Sequence, residues 1–271
     1  MADIAQSQAS TSNKSSSAWL ARNRDRLLPL AAAAGLILLW QLVVWGFSVP
    51  TYMAPSPMQV LNAFVEDAAT LWTNFWPTLF EAALGFIAGN VVAIVLAVLF
   101  VYSQTTEKAF YPIAVFINTI PIIAIAPILV LIFGNGLTPK IIIAALICFF
   151  PTLVNMVRGL KAVNPATLDL MRVLSASEAE IFWKVRLQSS LPFLFAALKI
   201  ASTTCVIGAI VAEWIGSNFG LGALIIEATY NFRAPLLYAT VFTCSLLAVF
   251  LFAMVSFAER RMIKWKTPAV H

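Results

Sequence analysis

The stretch NPATLDLMRVLSASEAEIFWKVRLQSSLP, residues 164–192, decides how the rest of the chain is understood. It is rich in charged and hydroxyl side chains, yet long apolar segments flank it in a protein that is only 11% charged and 61% hydrophobic. A polar segment between apolar spans is a loop that faces water at a membrane surface. The sequence therefore predicts an all-α, polytopic membrane protein that exposes this loop.

Within the loop the sequence predicts two short helices that are broken at Ser175. Asn164 and Pro165 suit the N-cap and the first turn of a helix. Ser177 and Glu180 form the capping-box pattern S-x-x-E at the start of the second helix. The loop therefore has a helix–break–helix shape.

A bulky apolar and basic patch follows the second cap, formed by Phe182, Trp183, Lys184, Val185 and Arg186. Such a patch can face lipid. The helix–break–helix shape is better explained by docking, because a docked helix buries its apolar face in the cleft of a partner. We interpret residues 158–190 as a docking loop and not as an active site.

Six segments are long and apolar enough to cross a bilayer. Their predicted bounds are 27–47, 75–101, 109–133, 139–157, 191–213 and 236–258. Residues 58–74 predict an amphipathic helix at the interface. The resulting organisation is a disordered cytoplasmic N-terminus at 1–26, a transmembrane domain at 27–258 and a cytoplasmic tail at 259–271.

Basic residues set the predicted orientation. All but three of the 17 Lys and Arg residues fall on the side that holds both termini and the docking loop. The three exceptions are Lys140, Lys199 and Arg233. By the positive-inside rule that side is the cytoplasm. The basic excess then reflects membrane orientation, and we expect no nucleic-acid partner.

Several kinds of site lack the residues that they need. The only histidine is His271, which is the last residue. No GxxxxGK[ST] phosphate loop occurs. Cys148, Cys205 and Cys244 have no metal-ligand spacing, and we interpret them as core residues. The sequence therefore predicts no metal site, no cofactor and no catalysis by this chain.

The 164–192 stretch resembles the EAA loop of permease subunits of bacterial ABC importers. That pattern runs E-A-A-x-x-x-G and then a spaced Phe, a β-branched residue and Leu-Pro. This chain has Asp for Glu, two large residues for Ala-Ala and Ser for Gly, at the positions Asp169, Leu170, Met171, Ser175, Phe182, Val185 and Leu187. The resemblance implies contact with an ABC ATPase subunit through Asp169, Met171, Arg172, Ser175, Ala176, Phe182, Val185 and Leu187.

Other segments extend the resemblance over residues 50–265. They follow the order seen in permeases for nitrate, sulfonate, taurine and bicarbonate: APSPMQVL (54–61), IPIIAIAPILVLIFGNGLTPK (120–140), FFPTLVNMVRGLKAVNP (149–165), AEWIGSNFGLG (212–222) and ERRMIKW (259–265). The same family includes permeases for thiamin-pyrimidine precursors and aromatic compounds. The resemblance therefore leaves the class of the small-molecule substrate open.

What the resemblance implies is a type I ABC importer permease fold in the bacterial inner membrane. It implies two copies of the chain around a central path, two ATPase subunits inside, and a periplasmic or lipoprotein solute-binding protein outside. The alternative is a stand-alone secondary transporter or channel. That alternative needs inverted repeats or an ion-coupling cluster, and the sequence has neither.

Glu81 is the most conspicuous ionisable residue within a predicted span. It shares a helix face with Gly85 and Gly89, whose G-x-x-x-G spacing lets another helix approach closely. We therefore expect Glu81 to point into the bundle. Two interpretations stay open, a group on the substrate path and a packing or capping carboxylate near the outer interface.

Other polar side chains in the spans are weaker candidates for the substrate path, namely Asn118, Thr119, Asn155, Thr203, Thr204 and Glu213. Asn118 and Thr119 lie near Pro121 and Pro127, which free backbone carbonyls inside the third span. Each uncharged candidate can instead form a hydrogen bond between helices. Glu213 precedes a Gly-rich turn, where it can gate the outer mouth, contact a binding protein or simply end the helix.

Overall fold

The computed structural model describes residues 28–264, and within this range every regular element is helical. The helices are α1 (Leu28–Gly46), α2 (Pro57–Glu66), α3 (Ala68–Tyr102), α4 (Gln104–Thr119), α5 (Ile122–Phe133), α6 (Leu137–Lys161), α7 (Pro165–Val173), α8 (Glu178–Ile181), α9 (Leu187–Glu213), α10 (Leu221–Tyr230) and α11 (Ala234–Met262). A π-helical turn, Phe182–Arg186, joins α8 to α9. The predicted all-α fold is confirmed.

Five helices of the described range are long and apolar enough to cross a membrane, and the bent pair α4–α5 makes a sixth span if it is counted as one. The number agrees with the six predicted spans. The predicted span 109–133 corresponds to this bent pair and is not one straight helix, because α4 and α5 meet at an angle of 98°. The cause is local: Pro121 disfavours helical geometry at the preceding residue, and Ile120 is extended with ψ 126°.

The predicted interfacial helix over 58–74 is also wrong as a single element. Ser56 and Gln59 form a capping box that starts α2, but α2 ends at Glu66 and α3 begins at Ala68. Val60 and Ala63 of α2 are buried, and α2 packs against α11 and α3. This short helix therefore belongs to the packed bundle.

The bundle is centred on α6, which packs along α3 on one side and α9 on the other. Small residues let the three backbones approach. A Cβ atom added at Gly85 would collide with the Cβ of Ala144, and one at Gly89 would collide with the backbone of Ala145. A Cβ at Gly208 of α9 would lie 2.8 Å from the Cα of Ala144. The close approach predicted from the G-x-x-x-G spacing is confirmed.

Polar contacts also join the bundle helices. Thr152 of α6 donates to the side-chain oxygen of Asn90 on α3 over 2.6 Å. Lys199 of α9 pairs with Glu259 of α11 over 2.7 Å. Cys148, Cys205 and Cys244 are buried, which confirms their interpretation as core residues.

The described residues do not include the two ends of the chain. The N-terminal segment 1–26, for which disorder is predicted, lies outside the described residues, as do residues 265–271 of the predicted tail. The beginning of that tail is helical, since α11 continues to Met262.

Candidate functional site

The docking loop has the local shape that its sequence predicts. Asn164 caps α7 by accepting from the backbone N–H of Ala166, with Pro165 at the first position. Ser177 and Glu180 form both hydrogen bonds of the capping box that starts α8. Between these helices Ser175 has φ 54°, a left-handed conformation that turns the chain sharply. The two helices and the break at Ser175 are thus present.

The loop presents apolar and charged side chains outward. Val173 and Leu174 are exposed, at 81% and 66%, and Trp183 is 64% exposed. Among the loop residues implied by the resemblance, Asp169, Arg172 and Ser175 are exposed, while Met171 and Ala176 are half-buried. Asp169 and Arg172 pair with each other over 3.1 Å at the surface.

The remaining loop candidates lie against the chain's own bundle. Phe182, Val185 and Leu187 are half-buried. The ring of Phe182 packs against Tyr102 at the end of α3, with 5.9 Å between centroids. Arg186 donates to the carbonyl of Leu160 over 3.2 Å. These contacts hold the loop against the ends of α3 and α6 and thereby position its exposed side chains.

At the other end of the bundle, Glu81 lies in a buried polar cluster. Its carboxylate accepts from Lys140 over 2.7 Å, and Lys140 also donates to Ser217 over 2.7 Å. Glu81 is 1% exposed and Lys140 is 8% exposed. The second oxygen of Glu81, Oε2, has no hydrogen-bond partner within residues 28–264. The cluster thus links α3 to α6 and to the turn after α9.

Glu213 closes the same cluster from α9. Its Oε1 accepts from the hydroxyl of Thr78 over 2.6 Å, and its Oε2 accepts from the N–H of Gly222 over 2.6 Å. Thr78 in turn accepts from the N–H of Leu221 over 2.8 Å. Gly220, at φ 114°, leaves no room for a Cβ beside the Glu213 carboxylate. These bonds fasten the Gly-rich turn at the start of α10 onto α3.

The structure therefore brings two of the seven predicted path residues, Glu81 and Glu213, into one buried polar cluster. Glu81 is ion-paired with Lys140, and Glu213 is held by hydrogen bonds from Thr78 and Gly222. Three members of this cluster were not predicted from the sequence, namely Lys140, Thr78 and Ser217. Lys140 carried a signal, because it is one of the three basic residues away from the cytoplasmic side. A lone Lys and a lone Glu in neighbouring spans suggest a pair.

The uncharged path candidates lie elsewhere and apart from this cluster. Thr119, Asn155, Thr203 and Thr204 each donate to a carbonyl of their own helix. Asn118 is exposed at the end of α4 and borders a small cavity beside α6. Within residues 28–264 no group of three or more His, Cys, Asp or Glu side chains is arranged to hold a metal ion.

The chain is similar in sequence to membrane components of bacterial transport systems. Residues 89–264 match the family described as binding-protein-dependent transport system inner membrane component. The formylaminopyrimidine transport permease protein ThiX of Halalkalibacterium halodurans is 32% identical over 246 residues, which is 90% of this chain and 98% of ThiX. The riboflavin transport system permease protein RibX of Chloroflexus aurantiacus is 30% identical over 233 residues, 85% of this chain and 87% of RibX.

A further relative and a solved structure extend the comparison. The putative aliphatic sulfonates transport permease protein SsuC of Bacillus subtilis is 26% identical over 239 residues, 88% of this chain and 87% of SsuC. The fold is similar to that of a chain in an inward-facing MetNI methionine ABC transporter, with a TM-score of 0.61 and 21% identity over 72% of this chain and 95% of that chain.

Proposed function

Because the chain belongs to the family of binding-protein-dependent transport system inner membrane components, we propose that it forms the substrate path of an importer together with a second copy of itself. The chain is the membrane-spanning permease subunit of an ABC importer and not an enzyme, since a separate subunit hydrolyses ATP. Partners of the ATPase and solute-binding protein classes are general in this family. The family also implies a multi-pass location in the bacterial inner membrane.

The proposed orientation puts both termini and the docking loop in the cytoplasm. The distribution of basic residues supports it. The docking loop and the Glu81–Lys140–Glu213 cluster then lie at opposite ends of the bundle, the loop toward the ATPase and the cluster toward the solute-binding protein. ATP-driven movement of the loops would open the path outward, and release of ATP products would open it inward.

The single observation that supports ATPase docking most directly is the outward apolar surface of the loop. Val173, Leu174 and Trp183 expose large side chains on a short segment that also carries Asp169 and Arg172. A partner that covers this surface removes it from water, which favours association. The half-buried Phe182, Val185 and Leu187 would then support the loop from behind, and Met171, Ser175 and Ala176 would lie near the break.

We expect Val173→Asp to release the ATPase subunit from the purified complex, because a carboxylate buried in an apolar groove loses its hydration. The matched control is Val65→Asp in α2, since Val65 is 79% exposed and Val173 is 81% exposed. Co-purification of the ATPase from membranes measures the effect, at equal yield of permease. Retention of the ATPase by the Val173 variant at the level of the control contradicts the docking surface.

We further expect the purified permease alone to hydrolyse no ATP, since it lacks a phosphate loop. Hydrolysis should appear when the cognate ATPase is added and should rise with the solute-loaded binding protein. ATP hydrolysis by a preparation free of any ATPase subunit, at a rate unaffected by that subunit, argues against this assignment. A channel or secondary transporter would instead move solute with no dependence on ATP.

We also propose the solute class and the path. Asn118, Thr119, Asn155, Thr203 and Thr204 would line the path with uncharged polar groups, while Glu81 and Glu213 would fasten its outer end. Lys140 is the one basic side chain buried within residues 28–264, and Glu81 already neutralises it. This favours an uncharged heteroaromatic nutrient, the class named for the relatives ThiX and RibX, over an anionic sulfonate.

A further inference from the structure

We propose that the break between α4 and α5 is a binding site for one planar heteroaromatic ring, with Asn118 as the side chain that recognises the polar edge of the ring. This inference rests on the proposed function and specifies where the solute is read inside the membrane. A cavity of about 100 Å³ lies at this break. It is lined by Ile117, Asn118, Ile120, Ile122, Ile125, Leu146, Ile147, Phe149 and Phe150.

Asn118 is set apart from the other uncharged polar candidates by its unused hydrogen bonds. Thr119, Asn155, Thr203 and Thr204 each donate to a backbone carbonyl of their own helix. The exposed amide of Asn118 has no hydrogen-bond partner within residues 28–264. An amide carries a donor and an acceptor side by side. It therefore suits a ring edge that also presents a donor next to an acceptor.

The depth of Asn118 follows from the helix geometry. Glu107 of α4 pairs with Lys161 at the cytoplasmic end of α6 over 2.6 Å. Asn118 comes eleven residues later, so it lies roughly 16 Å farther along the helix at 1.5 Å per residue. The cavity beside Asn118 also touches Phe149 and Phe150, which lie at the middle of the spanning helix α6 (Leu137–Lys161). Because the hydrocarbon core is about 30 Å thick, this contact puts Asn118 near the middle of the membrane.

A polar amide at that depth is costly unless something satisfies it. Discontinuous helices near the membrane midplane are also where transporters commonly form solute sites. The backbone at Ile120 and Pro121 is extended and not helical, and such backbone is tolerated at this depth where it borders a cavity. The α4–α5 break therefore combines non-helical backbone near the membrane midplane with an amide, Asn118, that is available to a solute.

The walls of the cavity determine which solute fits. Phe149 and Phe150 of α6 contribute two aromatic rings, and isoleucine side chains from α4, α5 and α6 complete an apolar slot. Aromatic side chains favour offset or edge-on contact with a second ring. No charged residue lines the slot, so a sulfonate would lose its hydration without a partner. A nitrogen heterocycle meets both requirements.

Cysteine protection tests the site without relying on transport rates. Ile125→Cys puts a thiol in the cavity wall, and Ile128→Cys puts one on the same helix at a residue that is 57% exposed and outside the lining. The three native cysteines are buried, which keeps background labelling low. The reconstituted complex with its ATPase and binding protein is labelled with a membrane-permeant maleimide. Formylaminopyrimidine, which has one aromatic ring, and ethanesulfonate are the two probes.

We expect an aromatic probe to slow labelling of Ile125→Cys at least threefold under ATP turnover. Ethanesulfonate should not slow this labelling, and neither probe should slow labelling of the Ile128→Cys control. Equal labelling with and without an aromatic probe that the complex transports would overturn the site. Transport of ethanesulfonate alone would overturn the solute class. Failure of the ATPase to bind or respond to the permease is a different result, because it rejects the importer assembly. The site is rejected only by equal labelling of Ile125→Cys with and without the aromatic probe.

Asn118→Leu gives the second measurement. We expect it to cut uptake of the aromatic probe about tenfold at equal complex yield, while Ser245→Ala, at an exposed hydroxyl on α11, keeps wild-type uptake. Asn118→Ser retains a hydrogen-bonding group and should recover part of the loss. If Asn118→Leu and Asn118→Ser both transport the aromatic probe at the wild-type rate, Asn118 does not read the ring.

Discussion

We expect replacing Lys140 with Met to remove most of the folded permease from detergent extracts. Lys140 is the cation that faces the carboxylate of Glu81 at 2.7 Å, and both residues are shielded from solvent, at 8% and 1% exposure. Removing one partner of a buried ion pair typically costs about 3–5 kcal/mol, because the other charge stays buried without compensation. Native proteins have only about 5–15 kcal/mol of stability to lose.

The substitution is measured as the yield of monodisperse permease after gel filtration and as its thermal unfolding temperature. Lys184→Met is the matched control, because Lys184 pairs with Glu180 at the surface, with side chains 65% and 47% exposed. Exposed pairs contribute about 0–1 kcal/mol. The double variant Lys140→Met/Glu81→Gln removes both charges and should regain much of the yield. A single variant as stable as the control would mean that the pair is dispensable.

Gly89→Val should likewise prevent the bundle from closing. A side chain at Gly89 would run into the backbone of Ala145 on α6, including its Cα at 2.9 Å. A flexible side chain can turn away, but here the obstacle is main chain and two long helices would have to separate. Overpacking of this kind commonly costs about 1–3 kcal/mol or more. We expect aggregation after extraction and loss of transport.

The control is Gly35→Val in α1, where an added Cβ meets nothing within 4 Å. Both glycines are in helices and both receive the same β-branched side chain, so differences in helix propensity cancel. Thermal unfolding of the two proteins in the same detergent gives the comparison. Equal unfolding temperatures would show that α3 and α6 can move apart at little cost.

The bundle itself was largely predictable from sequence, because membrane helices are recognised by their long apolar runs. The cap at Ser177 and the close approach at Gly85 and Gly89 also follow from local patterns. These features depend on residues near one another in the chain. They required no knowledge of which helix lies beside which.

The errors and omissions have a different origin. The 98° bend at Ile120 was hidden because apolar residues continue on both sides of it, and hydropathy does not distinguish a broken span from a straight one. The partner of Glu81 was hidden because Lys140 is 59 residues away in the chain. The contact of Phe182 with Tyr102 at the end of α3 was hidden in the same way. Each depends on how distant helices pack.

The continuity of α8, the π-turn and α9 has a mechanical consequence. Residues Glu178–Glu213 form one helical rod of 36 residues, about 54 Å long at 1.5 Å per residue. One end carries the docking loop, and the other holds the Gly-rich turn through Glu213. If the rod pivots near its middle, a tilt of about 10° shifts each end by about 5 Å in opposite directions. Such a pivot moves the cytoplasmic end and the outer end of the rod in opposite directions. A movement that closes the path at one side of the membrane would then open it at the other side.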